Sequence, residues 1–190
     1  MPVVALMDSD DICRTDRFLK QYKCITEGNV DIVGGLIREF KQDNPDYGEI
    51  RYVPENNYDI HQQARFYQPV NNVTLMFKKS IFMEVGGYNI PRYLEDYDLI
   101  YRFVLEGYSF YNIQSIMVDV RVSEKFFERR IGIKYFIEEQ KLIYRMYIDG
   151  FLNIFQYFRN AALRATYRIF YNNAFAYFHR KFMRVREGIN

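Results

Sequence analysis

Short apolar runs and segments of helical period alternate along the first 150 residues. The run 3–7 ends in acidic residues, which is typical of a buried strand with polar groups at its carboxyl end. Thr15 is the predicted N-cap of a first helix. Further strands are predicted at 31–40, 49–53, 73–77, 108–113 and 116–122, and helices at 16–25, 56–67, 79–85, 95–105 and 124–148. Strands interleaved with helices indicate an α/β sheet, in which ligand-binding groups gather at the carboxyl ends of strands.

An acidic turn follows the first strand, because Asp8, Asp10 and Asp11 lie within four residues. Two or three carboxylates that converge there repel one another unless a cation neutralises them. Hard oxygen ligands favour Mg²⁺ or Mn²⁺, which keep waters and bind substrate phosphates. The alternatives are a solvated acidic loop and a capping turn. An EF-hand is excluded, since Cys13 and Leu19 occupy the positions of its glycine and its last glutamate.

A second acidic cluster, Glu95, Asp96 and Asp98, opens the helix predicted at 95–105. Acids in a first turn are stabilised by the helix dipole, so one interpretation is capping. The other is a general base that accepts a proton from an attacking hydroxyl beside a cation-bound diphosphate. Asp96 and Asp98 diverge on a helix, whereas Glu95 and Asp98 share a face. These residues alone do not choose between Asp96 and Asp98.

The composition excludes several classes of protein. In 190 residues, 49% hydrophobic and 26% charged residues are typical of a folded globular chain. The chain has no apolar run of about 18 residues, which a membrane-spanning helix requires. Two cysteines are too few for a disulfide scaffold, and we expect reduced thiols in a cytoplasmic protein. His61 and His179 have no ligand partners near them in the sequence, which argues against a zinc hydrolase, and neither a P-loop nor a G-x-S-x-G motif occurs.

The tail 151–190 is aromatic and basic, although the net charge of the whole chain is only +2. One interpretation is a pair of helices that pack on the body, with arginine stems covering apolar surface. The other is a basic amphipathic surface that makes a peripheral contact with the inner face of the membrane. Nucleic acid is not expected as a partner, because the body is acidic and no RNA-binding motif is present. The basic residues of the tail are Arg159, Arg164, Arg168, Arg180, Lys181, Arg184 and Arg186.

Together these segments resemble family 2 glycosyltransferases, inverting enzymes with the GT-A fold. The acidic strand 4–12 and the helix segment 16–21 are similar to the metal-site strand of that family and the helix after it. The segment 31–35 is similar to the next strand of the family. The segments 73–80, 85–88 and 95–99 then follow in the family's order, and the resemblance extends over 3–148.

The resemblance implies a partial GT-A mixed sheet flanked by helices, with a helical C-terminal tail. It also implies metal-dependent transfer of a sugar, with inversion, from a nucleotide-sugar to an acceptor hydroxyl in surface-polysaccharide synthesis. The donor is expected to be a UDP-sugar, the acceptor a glycan or lipid-linked glycan, and the cofactor Mn²⁺ or Mg²⁺. The residues that this resemblance assigns are the base Asp96, the metal ligands Asp10 and Asp8, and the substrate-binding residues Asp8, Asp11, Glu95, Thr74 and Asn72.

The sequence departs from the family in two ways. Asn72 and Val73 stand where the family often has His-Pro, which puts acceptor binding at this point in question. Family members also carry a nucleotide-binding half before the acidic strand, at least two βαβ units of about thirty residues each. We therefore expect a fragment of a larger enzyme, or a truncated product, with weak or no transferase activity. The alternative is a non-catalytic module that keeps the fold and binds a glycan or a partner protein.

Overall fold

The computed structural model of the chain describes residues 2–41, 48–89, 94–122, 133–169 and 184–186. The strands are β1 (Val3–Ala5), β2 (Ile12–Cys13), β3 (Ile32–Phe40), β4 (Gly48–Arg51), β5 (Met76–Lys78), β6 (Phe110–Arg121) and β7 (Arg184–Arg186). The helices are α1 (Arg17–Thr26), α2 (Asn57–Gln63), α3 (Lys79–Glu84), α4 (Glu95–Leu105), α5 (Ile133–Ile148) and α6 (Ile154–Ile169).

The strands join in one mixed sheet built around β3. Strand β6 runs parallel to β3 along one edge, while β5 and β4 pair antiparallel with the first and second halves of its other edge. Strand β1 extends the sheet beyond β5, β7 extends it beyond β4, and β2 pairs with β6. Almost every residue of β3 is buried, as its apolar run predicts. The predicted α/β class, a mixed sheet flanked by helices, is confirmed.

The largest core lies between the sheet and helices α4 and α5. Leu99, Phe103 and Ile143 are buried there against Phe77 of β5. Helix α4 begins at Glu95 and ends before Gly107, whose φ of 80° no β-branched residue would adopt readily. The helix predicted at 95–105 is therefore confirmed. Because α4 leads directly into the start of β6, its first turn lies toward the carboxyl ends of the parallel strands.

Several predicted boundaries are wrong, and the helix predicted at 56–67 is the shorter α2. Asp16, not Thr15, precedes α1. Residues Asn72–Thr74 form a 3₁₀ turn and β5 starts only at Met76, because the Thr74 hydroxyl donates to Asn71 O at 2.7 Å and so closes the turn. The strands predicted at 108–113 and 116–122 are one strand, β6, with a register shift opposite Gly35 and Leu36.

The C-terminal tail is only partly helical. Helix α6 is confirmed, but Arg184–Arg186 form a strand antiparallel to β4, which corrects the second helix predicted there. The pairing supplies β4 with a partner for its open edge. Residues 170–183 and 187–190, the predicted turn at 43–47 and the first part of the helix predicted at 124–148 lie outside the described residues.

Helix α6 packs on the body through its polar groups. Arg164 donates to Glu139 Oε1 at 2.8 Å and to Phe66 O at 2.9 Å, and Asn160 donates to Arg65 O at 2.7 Å. These contacts favour the packing interpretation for this part of the tail. The side chains of Phe155 and Phe158 are nonetheless 83% and 63% exposed, and contact with a membrane surface stays a prediction. Within the described ranges, no helix has both the length and the hydropathy needed to cross a bilayer.

Candidate functional site

The acidic residues after β1 form a tight turn. The backbone N–H of Asp11 donates to Asp8 O at 3.4 Å, which places Ser9 and Asp10 at the corner of the turn. The side chains of Asp8 and Asp10 are exposed. Each carboxylate therefore stands at the surface, just past the carboxyl end of a strand, where α/β sheets bind ligands.

Asp11 has a different environment from its two neighbours. Its Oδ1 accepts the backbone N–H of Arg121 at 3.0 Å, which fastens the turn to the end of β6. Burial, together with the charges of Asp8 and Asp10, raises the pKa of Asp11 to about 6, although the hydrogen bond from the backbone of Arg121 lowers it. The three carboxylates are thus close enough to repel one another. Asp11 holds the turn in place, whereas Asp8 and Asp10 face outward.

A fully buried arginine fixes the chain where it leaves β1. Arg17 donates from Nη2 to Leu6 O at 2.8 Å, and from Nε to Gln21 Oε1 at 2.9 Å. Gln21 in turn donates to Val33 O at 3.0 Å and to Thr74 O at 2.6 Å. The side chains of Arg17 and Gln21 therefore donate to backbone carbonyls of three different segments, and these carbonyls are not left buried without a hydrogen bond. In the part of the chain that the structure describes, no carboxylate bonds to Arg17, and burial lowers the pKa of its guanidinium.

We expect Arg17→Met to lower the free energy of unfolding by about 2–3 kcal/mol. The change leaves Leu6 O and Gln21 Oε1 buried without a donor, at about 1–3 kcal/mol for an unsatisfied group. Relief of the buried charge offsets part of this loss. Urea denaturation measures the effect, with Lys20→Met as the control, because Lys20 is exposed on the same helix and its ion pair with Asp16 contributes little. Equal urea midpoints for the two variants would contradict the stabilising role assigned to Arg17.

The second acidic cluster divides into two environments. Asp98 has no exposed surface, and its carboxylate accepts from Arg102 Nε at 2.9 Å and from Arg145 Nη1 at 3.2 Å. Asp96 and Glu95 are half-buried at the start of α4. Asp96 Oδ1 accepts the N–H of Tyr97 at 2.8 Å, and among described residues Glu95 Oε2 has no hydrogen-bond partner. Asp98 is therefore a structural ion-pair partner, while Asp96 and Glu95 remain accessible at a helix N-terminus.

Tyr88 connects the two acidic clusters. Its ring is 47% exposed and packs edge-on against Phe82, with the ring centroids 5.4 Å apart. Burial raises the pKa of its phenol, and the charges of Asp96, Glu95 and Asp8 raise it further. One side chain therefore lies within the field of both clusters.

The two residues predicted to bind substrate near β5 lie in the turn before that strand. Thr74 is completely buried, and its Oγ1 accepts the N–H of Gly35 at 3.0 Å. A direct contact between Thr74 and a substrate does not fit this burial, because the hydroxyl is used to hold the turn against β3. Asn72 is half-buried, and among described residues its Oδ1 has no partner. The Oδ1 atom is itself buried, so the structure does not expose this acceptor to a ligand.

The exposed oxygens of the acidic turn have the chemistry of a divalent metal site. In the ranges that the structure describes, no three His, Cys, Asp or Glu side chains gather closely enough to hold an ion by themselves. Mg²⁺ is commonly bound by one or two carboxylates, with water and substrate phosphates completing the shell. Asp8 and Asp10 fit that arrangement, and Asp11 Oδ2, which has no hydrogen-bond partner among described residues, lies beside them.

The chain is similar in sequence to bacterial glycosyltransferases. It is 34% identical over 187 residues to the UDP-Gal:alpha-D-GlcNAc-diphosphoundecaprenol beta-1,3-galactosyltransferase of Escherichia coli, an alignment that covers 96% of this chain and 66% of the relative. This chain is a homologue of bacterial polysaccharide glycosyltransferases. It is also 33% identical over 146 residues to the amylovoran biosynthesis glycosyltransferase AmsE of Erwinia amylovora, covering 76% of the chain and 53% of AmsE.

Comparison of structures supports the same fold. S. aureus TarS 1–349, crystallised in complex with UDP-GlcNAc, superposes with a TM-score of 0.55 at 12% identity, over 92% of this chain and 51% of TarS. This chain spans between about half and two thirds of the lengths of the relatives that it matches. No protein-family model matches the chain.

Three residues of the site were not assigned a role from the sequence, namely Arg17, Gln21 and Tyr88. Arg17, Gln21 and Ile25 are spaced four apart and are all buried on one face of α1. Two long polar residues on the buried stripe of an amphipathic helix are a signal of a buried polar network, and that spacing could have identified them. Tyr88 carries no comparable signal, since only the packing of its loop brings it to the carboxylates.

Proposed function

We propose that this chain supplies the metal-binding and acceptor-activating residues of an inverting, UDP-sugar-dependent glycosyltransferase. The observation that carries the proposal is the acidic turn past the end of β1, where Asp8 and Asp10 are exposed and Asp11 is bonded to the backbone of Arg121 at the end of β6. Sugar transfer requires a cation-binding group near the leaving diphosphate and a base near the attacking hydroxyl. The exposed Asp8 and Asp10 and the half-buried Asp96 at the start of α4 are carboxylates of these two kinds.

The acidic residues divide the chemistry between them. Asp10, with Asp8 beside it, would hold Mn²⁺ or Mg²⁺, which when bound neutralises charge on the diphosphate. Asp96 accepts the proton of the acceptor hydroxyl while the oxygen of that hydroxyl bonds to the anomeric carbon. The bond from that carbon to the diphosphate breaks, and UDP leaves with the bonding electrons.

The relatives support the class of donor and acceptor. The name of the E. coli relative gives UDP-galactose as its donor and a diphosphoundecaprenol-linked GlcNAc as its acceptor. For this chain we propose a UDP-sugar donor and a sugar acceptor carried on a lipid diphosphate, in the synthesis of a surface polysaccharide. The half-buried Asn72 and Glu95 are the proposed acceptor contacts.

Calorimetric titration of UDP in the presence of Mn²⁺ tests the metal site. We expect Asp10→Asn to weaken UDP binding at least about tenfold, because an amide replaces a charged metal ligand. Asp16→Asn is the matched control, since Asp16 is an exposed acid of the same segment that pairs with Lys20. Equal UDP affinity in Asp10→Asn and the wild type would contradict the proposed role. Loss of binding in the control as well would show that the effect is not specific.

A further inference from the structure

A separate pocket lies where the chain leaves β4 and passes the end of α2. Its cavity volume is about 190 Å³. Pockets that hold drug-sized ligands have volumes of roughly 300–1,000 Å³, so this one suits a single small ring and is too small for a nucleotide. The lining residues are Arg51, Tyr52, Val53, Pro54, Gln63, Tyr67 and Gln68.

The walls of the pocket are held by buried amides. Asn112 Nδ2 donates to Pro54 O at 2.7 Å and to Pro69 O at 3.1 Å, which ties both loop segments to β6. Asn71 Nδ2 donates to Gly35 O at 2.9 Å. The side chain of Asn112 on β6 lies so close to β3 that a Cβ on Gly34 would be 2.2 Å from Asn112 Oδ1. The pocket is therefore preformed rather than created when a ligand binds.

Hydrogen bonds connect the pocket to the candidate site. Tyr97, the residue after Asp96, donates from its hydroxyl to Ala64 O at 2.8 Å, and Ala64 directly follows Gln63 of the pocket. On the other side, Asn71 precedes Asn72 and is bonded to Gly35. The segments that form the pocket are thus bonded to Tyr97 of α4 and lead along the chain into the turn that carries Asn72.

The lining has the chemistry that recognises a neutral sugar ring. Tyr52 and Tyr67 are 47% and 41% exposed, and aromatic rings of this kind pack against the apolar C–H face of a pyranose. The side-chain amide of Gln68 and the amide nitrogen of Gln63 offer hydrogen-bonding groups for hydroxyls, while Gln63 Oε1 accepts from the Tyr67 hydroxyl. Among the residues that the structure describes, no acidic side chain lines the cavity, so these residues offer no negative charge for a cation.

We propose that this pocket binds a sugar unit of the acceptor. The assignment rests on the proposed function, which it deepens by naming where the acceptor is recognised. A sugar held by Tyr52, Tyr67 and Gln68 lets a neighbouring hydroxyl of the same glycan approach Asp96. Donor binding uses the acidic turn and does not involve these residues.

Saturation-transfer NMR on the full chain tests the pocket, with methyl α-N-acetylglucosaminide and methyl β-galactoside as probes. We expect transfer to ring protons of at least one probe, and binding weakened about tenfold in Tyr52→Ala and Gln68→Ala. Tyr58→Ala is the matched control, because Tyr58 is 71% exposed on α2 and does not line the pocket. The control should bind the sugar as the wild type does.

The outcomes separate this proposal from the catalytic one. Absence of transfer from both probes, or equal transfer in Tyr52→Ala, Gln68→Ala and the wild type, overturns the sugar pocket. UDP titration with Mn²⁺ on the same variants should give unchanged affinity, which shows that each variant is folded. If the wild type fails to bind UDP while transfer from the sugar persists and depends on Tyr52, the pocket stands and the proposed transferase function fails.

Discussion

Replacing Asp98 with alanine should lower the free energy of unfolding by about 3–5 kcal/mol, the range for removing one partner of a buried ion pair. Asp98 is fully buried between Arg102 and Arg145. Arg102 also donates to Val85 O and Gly87 O, so the same ion pair joins α4 to the loop before Tyr88. The variant leaves Arg102 largely buried without its counter-charge and frees this loop.

Urea denaturation followed by circular dichroism measures the effect, with Asp96→Ala as the matched control. Asp96 lies in the same helical turn and has the same charge, but it is half-buried, and its Oδ1 accepts the N–H of Tyr97. Its removal should cost about 1 kcal/mol, typical of a lost helix cap. Similar losses in the two variants would contradict the separation of Asp98 as structural and Asp96 as functional.

Replacing Asp96 with asparagine should reduce the rate of sugar transfer by about 10²- to 10⁴-fold, the contribution typical of a general base. The amide keeps the shape of the side chain and its bond to Tyr97, yet it cannot accept the proton of an attacking hydroxyl. Release of UDP from UDP-galactose and UDP-GlcNAc measures transfer, with membranes of the source cells supplying the lipid-linked acceptor. The assay uses the protein as its source cells produce it.

Two control measurements on the Asp96→Asn protein separate a loss of catalysis from a loss of folding or of UDP binding. Its melting temperature and its affinity for UDP with Mn²⁺ should match those of the wild type, since Asp96 touches neither the core nor the proposed metal ligands. A transfer rate within about threefold of wild type would exclude Asp96 as the base, because that change corresponds to less than 1 kcal/mol of transition-state stabilisation. Glu95 would then be the remaining accessible carboxylate of this turn.

Much of the fold could be predicted because local patterns were unambiguous. The buried run of β3 and the period of α4 each had a single interpretation, and both elements form as expected. Predictions failed where a tertiary contact decided the local structure. The turn before β5 depends on the Thr74 hydroxyl meeting Gly35, 39 residues away, and the strand at 184–186 exists because β4 offers an open edge.

The candidate site shows the same division. The acidic turn could be found from the sequence, because three carboxylates after an apolar strand are unusual without a ligand to neutralise them. The choice between Asp96 and Asp98 could not be made from these residues alone, since both occupy the first turn of one helix. It depends on which carboxylate faces Arg145, 47 residues further along the chain.

The sequence by itself determined the alternation of strands and helices and the placing of acids at two element ends, because hydrophobic period and helix-terminal chemistry act over a few residues. Only the tertiary structure decided which acids are buried and that Arg17 and Gln21 hold the strand ends. Burial and charge pairing depend on residues that are distant in sequence and adjacent in space. For that reason the sequence could name the carboxylates, and only the packing shows that Asp98 is buried and ion-paired while Asp8 and Asp10 are exposed.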